Sequence, residues 1–327
     1  MKKTCSVLVV FVLLIGVNCR QQEKATIAGQ LYPIIQNARY GFIDGAGKIV
    51  IKPQYDNARP FSDNMAPVMV KGVYGYINKT NAMIIPAQFD DAWDFSQSLA
   101  PVKIGDKWGF IDILGKIAIK PGFDEVSGFS EDLAAVKVNG LWGFINWKGD
   151  FIVEPQYEEA GPFNDNLALI NAGGRHGYID KTGRIVIPPQ FDDAWDFAEK
   201  LAPVRMNGQV GFIDEQGKFL IEPKYEEAQG FSEGLAAAKF DGRYGYIDKA
   251  NRMEITPQFD EAGDFSEGLA VVNIGGKHGY IDRTGRFVIP LQFDQGEDFS
   301  GGVARIMLGE KWGYVDKTGQ SIWNPSR

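Results

Sequence analysis

Residues 107–112 read KWGFID, and the glycine in the middle of this otherwise strand-like stretch decides how the whole chain is read. Glycine weakens a strand and brings no side chain to pack. Kindred hexapeptides nevertheless recur along the chain as RYGFID, VYGYIN, LWGFIN, RHGYID, QVGFID, RYGYID, KHGYID and KWGYVD. Their glycines are Gly41, Gly75, Gly109, Gly143, Gly177, Gly211, Gly245, Gly279 and Gly313, 34 residues apart throughout, with no insertion or deletion. A period kept so strictly marks a tandem array, in which stacked copies bury the apolar faces that a single copy could not.

Each copy carries further fixed positions. A proline follows the glycine by twelve residues at Pro53, Pro121, Pro155, Pro189, Pro223 and Pro257, and by eleven at Pro86 and Pro290. An aromatic and an acid come next, as in Tyr55-Asp56 and Phe123-Asp124, and then a phenylalanine, Phe61, Phe95, Phe129, Phe163, Phe197, Phe231, Phe265 or Phe299. Helical repeats of this length exist, so the period alone does not choose between helix and strand. Alternation does. In LAPVKI, Ala100, Val102 and Ile104 share one face, as do Ile117 and Ile119 in GKIAIK, and the mid-copy glycine and proline disfavour two long helices. The copy therefore reads as strand, turn, strand, turn, strand and a capped loop.

The second turn reads as Asp-x-x-Gly, as in DKTG at 180–183 and DRTG at 282–285. Its aspartate accepts backbone hydrogen bonds and its glycine takes a positive φ. Asn81 and Asn251, next best at positive φ, replace that glycine in two copies. This acid is a turn former and not a catalyst. The glycine of KWGFID leaves a slot, and the expectation is that an aromatic ring from an adjoining strand or copy lies over it.

The core WGFID-x-x-G-x-hydrophobic-x-I-x-P-x-F/Y-D/E resembles the WG repeat, or KWG repeat, of bacterial proteins, in nine copies over about residues 31–323. The resemblance implies a tandem β array in secreted, surface or uncharacterised proteins, with no activity or ligand attached to the repeat itself. The tryptophan is replaced by Tyr40, Tyr74, His176, Val210, Tyr244 and His278, which leaves the fold expectation untouched.

The N-terminus, MKKTCSVLVVFVLLIGVNC, has two lysines and then an apolar run from Val7 to Val17. That run is short for a membrane span and right for a signal peptide. Residues 1–18 read as a signal peptide with a lipobox-like end, Cys19 as the lipidated residue, and residues 19–30 as a short tether. Gly16 and Asn18 depart from the common lipobox, and an ordinary cleavage near Ala25 or Ala28 is the alternative. Cys5 and Cys19 are the only cysteines, so the array itself has no disulfide, thiol nucleophile or thiolate metal site. The chain carries a net charge of −8, and removing Lys2 and Lys3 with the leader takes it to −10. Such a charge repels a phosphate backbone, and nucleic acid is not an expected partner.

No phosphate loop, metal spacing or Ser-His-Asp arrangement stands out. Acidic pairs such as Asp192-Asp193 suggest glycoside hydrolysis, yet similar pairs recur in most copies, and they read as solvated caps of a short helical turn in FDDAWDF. His176 and His278 occupy the aromatic column and read as packing residues. No cofactor, metal or catalysis is expected. Function is sought where copies differ: Trp93 and Trp195, each inside AWDF, stand where other copies hold small or polar residues. With Asp94 and Asp196 they are the candidate ligand-binding residues, offering a stacking face and hydrogen bonds to a glycan or protein. Local packing is the plainer role for these tryptophans. For architecture, nine three-stranded units fit poorly into a propeller of four to eight four-stranded blades. The expectation is an all-β, open, twisted β-solenoid of stacked hairpins, with a closed propeller-like ring as the alternative. Together these features describe a protein of the cell envelope that binds or scaffolds, with an envelope enzyme acting on glycans through loop carboxylates as the competing reading.

Overall fold

In the computed structural model, which describes residues 29–324, every copy folds as antiparallel strands and no helix forms among the described residues. The first sheet holds β1 (Leu31–Gln36), β2 (Arg39–Asp44) and β3 (Ile49–Tyr55). The second holds β4 (Asn57–Ala58), β5 (Met65–Val70), β6 (Val73–Asn78) and β7 (Met83–Phe89), and the third holds β8 (Asp91–Ala92), β9 (Leu99–Ile104), β10 (Lys107–Asp112) and β11 (Ile117–Phe123). Six further four-stranded sheets follow in the same order, ending on Ser321–Trp323. The stretch read as a capped helical turn supplies the fourth strand: in FDDAWDF, Asp91 pairs with Lys103 and Ala92 with Val102.

The nine sheets are the blades of a closed β-propeller, which corrects the expectation of an open solenoid. Apolar residues gather between consecutive blades. One such cluster joins Tyr76 and Ile85 of the second blade to Phe95, Val102 and Ile111 of the third. The repeat phenylalanine drives this contact, because its ring meets the ring immediately after the repeat glycine of the preceding blade. Phe110 and Phe129 lie 5.0 Å apart at centroids, edge to face, and Tyr178 and Phe197 4.9 Å apart; such pairs add to plain area burial. The same chemistry joins the last blade to the first. Tyr32, Ile34 and Ile43 form one cluster with Val303 and Tyr314, the Tyr314 hydroxyl donates to the Pro33 carbonyl at 2.7 Å, and the Tyr32 hydroxyl donates to Gly301 at 2.9 Å. An open array would leave those two faces bare, whereas a ring has no terminal faces to expose.

The repeat glycine has a different purpose from the one expected. Between β10 and β11 the register runs from Trp108 opposite Phe123 to Phe110 opposite Ile119, so a bulge of Lys120, Pro121 and Gly122 lies across from Gly109. A Cβ on Gly109 would sit 2.6 Å from the Ile119 carbonyl oxygen and 2.6 Å from the Pro121 nitrogen. The slot is filled by the backbone of its own blade, not by a neighbour's ring. The repeat proline fits there for the same reason, since a bulge on an edge strand needs no donor from it.

The Asp-x-x-Gly turns form as read. Asp112 Oδ1 accepts from Leu114 and Lys116 at 2.9 Å each, Gly115 has φ +78°, and Asn81 and Asn251 take φ of 66° and 62°. The acids after the repeat aromatic are also structural. Asp192 pairs with Arg175 and accepts from the Asn207 amide at 2.7 Å, fastening the hairpin tip of its neighbour. Asp124 does the same with Lys107 and Asn139.

Candidate ligand-binding clefts

The two AWDF tryptophans sit in equivalent places, each just after a short first strand and hydrogen-bonded to its blade. Trp93 N–H donates to Pro101 and Trp195 N–H to Pro203, while the carbonyls accept from Tyr76 and Tyr178 of the preceding blades at 2.8 and 2.7 Å. Their surroundings differ. Trp93 is half-buried against Trp108, centroids 5.0 Å apart, and joins the core between the third and fourth blades. Trp195 has valine, Val210, where Trp93 meets Trp108. It stays 37% exposed, with the Arg205 guanidinium 5.7 Å from its ring centroid.

Trp195 and Arg205 line a cleft of about 470 Å³ together with Glu227, Gln229 and Tyr244 of the next blade and Asp264 of the one after. A neighbouring cleft of about 340 Å³ shares Gln229 and Tyr244 and continues past Glu261, Asn273 and His278. The structure therefore gathers a different set from the one singled out in the sequence. Asp196 is not part of this lining: its Oδ1 lies 2.8 Å from where a Cβ of Gly161 in the preceding blade would be. Trp93 and Asp94 lie three blades away. Burial raises the Asp94 and Asp196 carboxyls above the ordinary range, Arg59 partly offsetting this for Asp94. Asp264 is pushed up to about 6 by burial and then by the charge of Asp298 in the adjacent blade.

Cross-strand register builds the polar walls. Glu227 faces Lys239, and Lys239 faces Tyr244; Lys239 Nζ meets Glu227 at 3.1 Å, and the Tyr244 hydroxyl donates to the same carboxylate. In the following blade Glu261, Asn273 and His278 take the same three places. Asn273 Nδ2 lies 3.3 Å from Glu261 Oε2 and 3.3 Å from His278 Nε2, and its Oδ1 accepts from Gly276 at 3.0 Å. His278 Nδ1 is buried without a hydrogen-bond partner. Glu159, Asn171 and His176 repeat the arrangement three blades earlier, with His176 Nε2 3.2 Å from each neighbour. The histidines thus sit in polar networks and not in apolar packing. The sequence signal for these triples was their spacing, an acid followed 12 and 17 residues later, which becomes meaningful only once the strands are in register. Among the described residues no group of three or more His, Cys, Asp or Glu side chains is placed to hold a metal ion. What the clefts offer chemically is one exposed indole face, hydrogen-bonding amides and carboxylates, and one guanidinium.

Comparison with known proteins bears on the fold. No curated protein matches the chain. A solved structure described as a eukaryotic initiation factor is similar with a TM-score of 0.64 at 9% identity, over 90% of this chain and 95% of that one, a likeness of fold alone. The surface component PorZ of the Porphyromonas gingivalis type-IX secretion system gives a TM-score of 0.35 at 10% identity, over 80% of this chain and 45% of that one, too low to carry an inference. The WG containing repeat family matches at residues 40–74, 74–108, 108–142, 142–175, 177–209, 211–244, 244–277 and 279–312, each stretch running from the middle of one blade into the next. With the family's repeat found in eight stretches and each stretch joining two neighbouring blades, the chain belongs to the WG containing repeat family.

Proposed function

We propose that this chain is an exported, non-enzymatic binding protein of the cell envelope, anchored by a lipid on Cys19, and that a glycan is held in the cleft beside Trp195. The observation that carries the binding reading is the part-exposed indole of Trp195 lining one of two adjoining clefts that together span four blades. Sugar rings stack on indole faces and their hydroxyls pair with carboxylates and amides, which Glu227, Gln229, Glu261 and Asn273 supply. Export and anchoring rest on the leader and on Cys19, which lie outside the described residues. Titration of envelope glycan fractions, followed by tryptophan fluorescence, tests the binding: Trp195→Ala abolishes the response and Trp93→Ala keeps it. A response that survives Trp195→Ala refutes the cleft. Labelling with a palmitate analogue tests the anchor, and label that persists in Cys19→Ala refutes it.

One observation favours a second reading, an envelope enzyme acting on glycans. Asp264 lies in the same cleft with its carboxyl pushed up to about 6, where a general acid works best near neutral pH. Turnover of a glycan that Asp264→Asn abolishes, with binding retained, would establish it.

A further inference from the structure

The junction between the ninth and first blades differs from the other eight. In seven blades the third residue of the second strand is apolar: Pro67, Pro101, Ala135, Leu169, Pro203, Ala237 and Val271. In the ninth blade it is Arg305. The Arg305 guanidinium stacks 4.0 Å from the centroid of Trp312, and its Nη2 meets Glu297 Oε1 at 3.0 Å. Its Nε is buried with no hydrogen-bond partner, which is costly for a charged donor and calls for an explanation. Arg59 of the second blade is likewise the one cation in its column, where Trp93, Ser127, Gly161, Trp195, Gln229, Gly263 and Glu297 stand elsewhere.

Both arginines line a cleft of about 500 Å³ formed by the first, second and ninth blades, the size of small-molecule sites. Its aromatic lining is Tyr40, Trp312, Tyr314 and Trp323, and its charged lining is Arg59, Arg305, Lys311 and Glu310. The Tyr314 hydroxyl is taken by Pro33 and its ring is buried against Tyr32, so that side chain presents no free polar group to the cleft. Each arginine already has one carboxylate beside it, Asp91 for Arg59 and Glu297 for Arg305, at 3.0 Å each, so an anion would be met by the guanidinium donors these pairs leave over and by Lys311. Glu297 occupies one arm of the Arg305 fork, and the planar guanidinium keeps further donors for an anion.

We infer that this seam cleft binds a carboxylate carried on a six-membered ring, the acid meeting Arg305 and Arg59 and a ring face lying against Trp312 and Trp323. The site is separate from the Trp195 cleft and stands or falls independently of it. The test titrates the full chain with benzoate and with glucuronate, and with their neutral counterparts benzamide and glucose, following tryptophan fluorescence and ligand-observed NMR. At least one acid should bind, its neutral counterpart should not, and added salt should weaken binding. Whichever of the two acids binds identifies the ring as aromatic or as sugar. Arg305→Leu, which installs the residue found at Leu169, should weaken binding by about tenfold to a hundredfold, the loss expected for a hydrogen bond to a charged group, with circular dichroism unchanged. Should that variant misfold, Arg305→Gln retains a donor toward Glu297 without the charge and should show the same loss. Failure of both acids to bind, equal binding of acid and neutral counterpart, or undiminished binding in the folded Arg305 variant overturns the inference.

Discussion

Substituting alanine for Gly177 tests the account of the repeat glycine directly. A Cβ there would lie 2.5 Å from the Ile187 carbonyl oxygen, 2.6 Å from the Pro189 nitrogen and 2.8 Å from the Pro188 carbonyl carbon. All three are backbone atoms of the adjacent bulge, so no side chain can swing aside. Ordinary contact begins at 3.4 Å, so the bulged strand must retreat by 3.4 − 2.5 = 0.9 Å. Overpacking of this kind costs about 1–3 kcal/mol, and weakening one or two ladder hydrogen bonds adds about 1 kcal/mol each, giving roughly 2–5 kcal/mol in all. At about 2–4 °C per kcal/mol for a large domain, the thermal midpoint should fall by about 4–20 °C if the ring melts as one unit. Gly122 is the control. It has no positive φ, and a Cβ there would meet only the Lys120 carbonyl oxygen at 3.9 Å. Gly122→Ala should leave the midpoint unchanged or raise it slightly, because alanine restricts the unfolded chain. Calorimetry and circular dichroism read both variants. If Gly177→Ala melts within about 2 °C of the parent, or Gly122→Ala falls as far, steric exclusion by the bulge is wrong.

Trp93→Ala should destabilise by about 2–4 kcal/mol through the cavity it leaves against Trp108, while Trp195→Ala should cost distinctly less, because that ring stays 37% exposed; urea unfolding of the pair checks the contrast. Because the folded state raises the Asp264 carboxyl from 3.8 to about 6, the fold favours its protonated form, and its contribution is lost as pH rises from about 4 through 6. Asp264→Asn should therefore raise the melting temperature relative to the parent at pH 7.5 and give no advantage at pH 4; the reverse order refutes the burial argument. Asp180 is held below the ordinary carboxylate range first by its bond from the Thr182 hydroxyl and also by Arg184, so its stabilisation is present above that range and is lost on acidification. Asp180→Ala should cost about 1 kcal/mol through the backbone bonds of the turn, and Arg184→Ala distinctly less, since exposed ion pairs contribute little.

The repeat, the strands and the Asp-x-x-Gly turns were legible because they are local: alternation in LAPVKI and turn chemistry in DKTG declare themselves within a few residues. What was not legible depended on register. Asp91 and Ala92 form a strand only through their pairing with Lys103 and Val102, and two residues carry no periodicity of their own. Without that fourth strand the copy looked three-stranded, and the propeller looked a poor fit. Closure was hidden for a related reason: Tyr314 occupies an ordinary repeat position, and although Tyr32 stands where the other copies hold alanine, from Ala66 to Ala304, only the folded ring brings the two within 5.6 Å at their centroids. Even the KWGFID glycine was half understood: the need for space was readable, but the occupant, its own blade's bulge, required knowing that Pro121 falls opposite Gly109. In the candidate site Trp195 was found by its departure from the other copies. Arg205, Glu227 and Asp264 were missed because they come from three blades and converge only in the folded ring.

The side-chain clasp at Tyr32 and Tyr314 has a consequence for how such molecules change size. Eight interblade contacts reuse one aromatic pairing at one residue offset, as in Phe42 with Phe61 and Tyr280 with Phe299, and only the joint between the described chain ends closes through its own pair, Tyr32 with Tyr314. Duplicating or excising a single 34-residue copy would alter the circumference and the curvature shared among the joints while leaving each blade's interior untouched. In this architecture a genetic slip of one period becomes a change of diameter, and the tolerance of the seam for a slightly different angle sets which ring sizes survive.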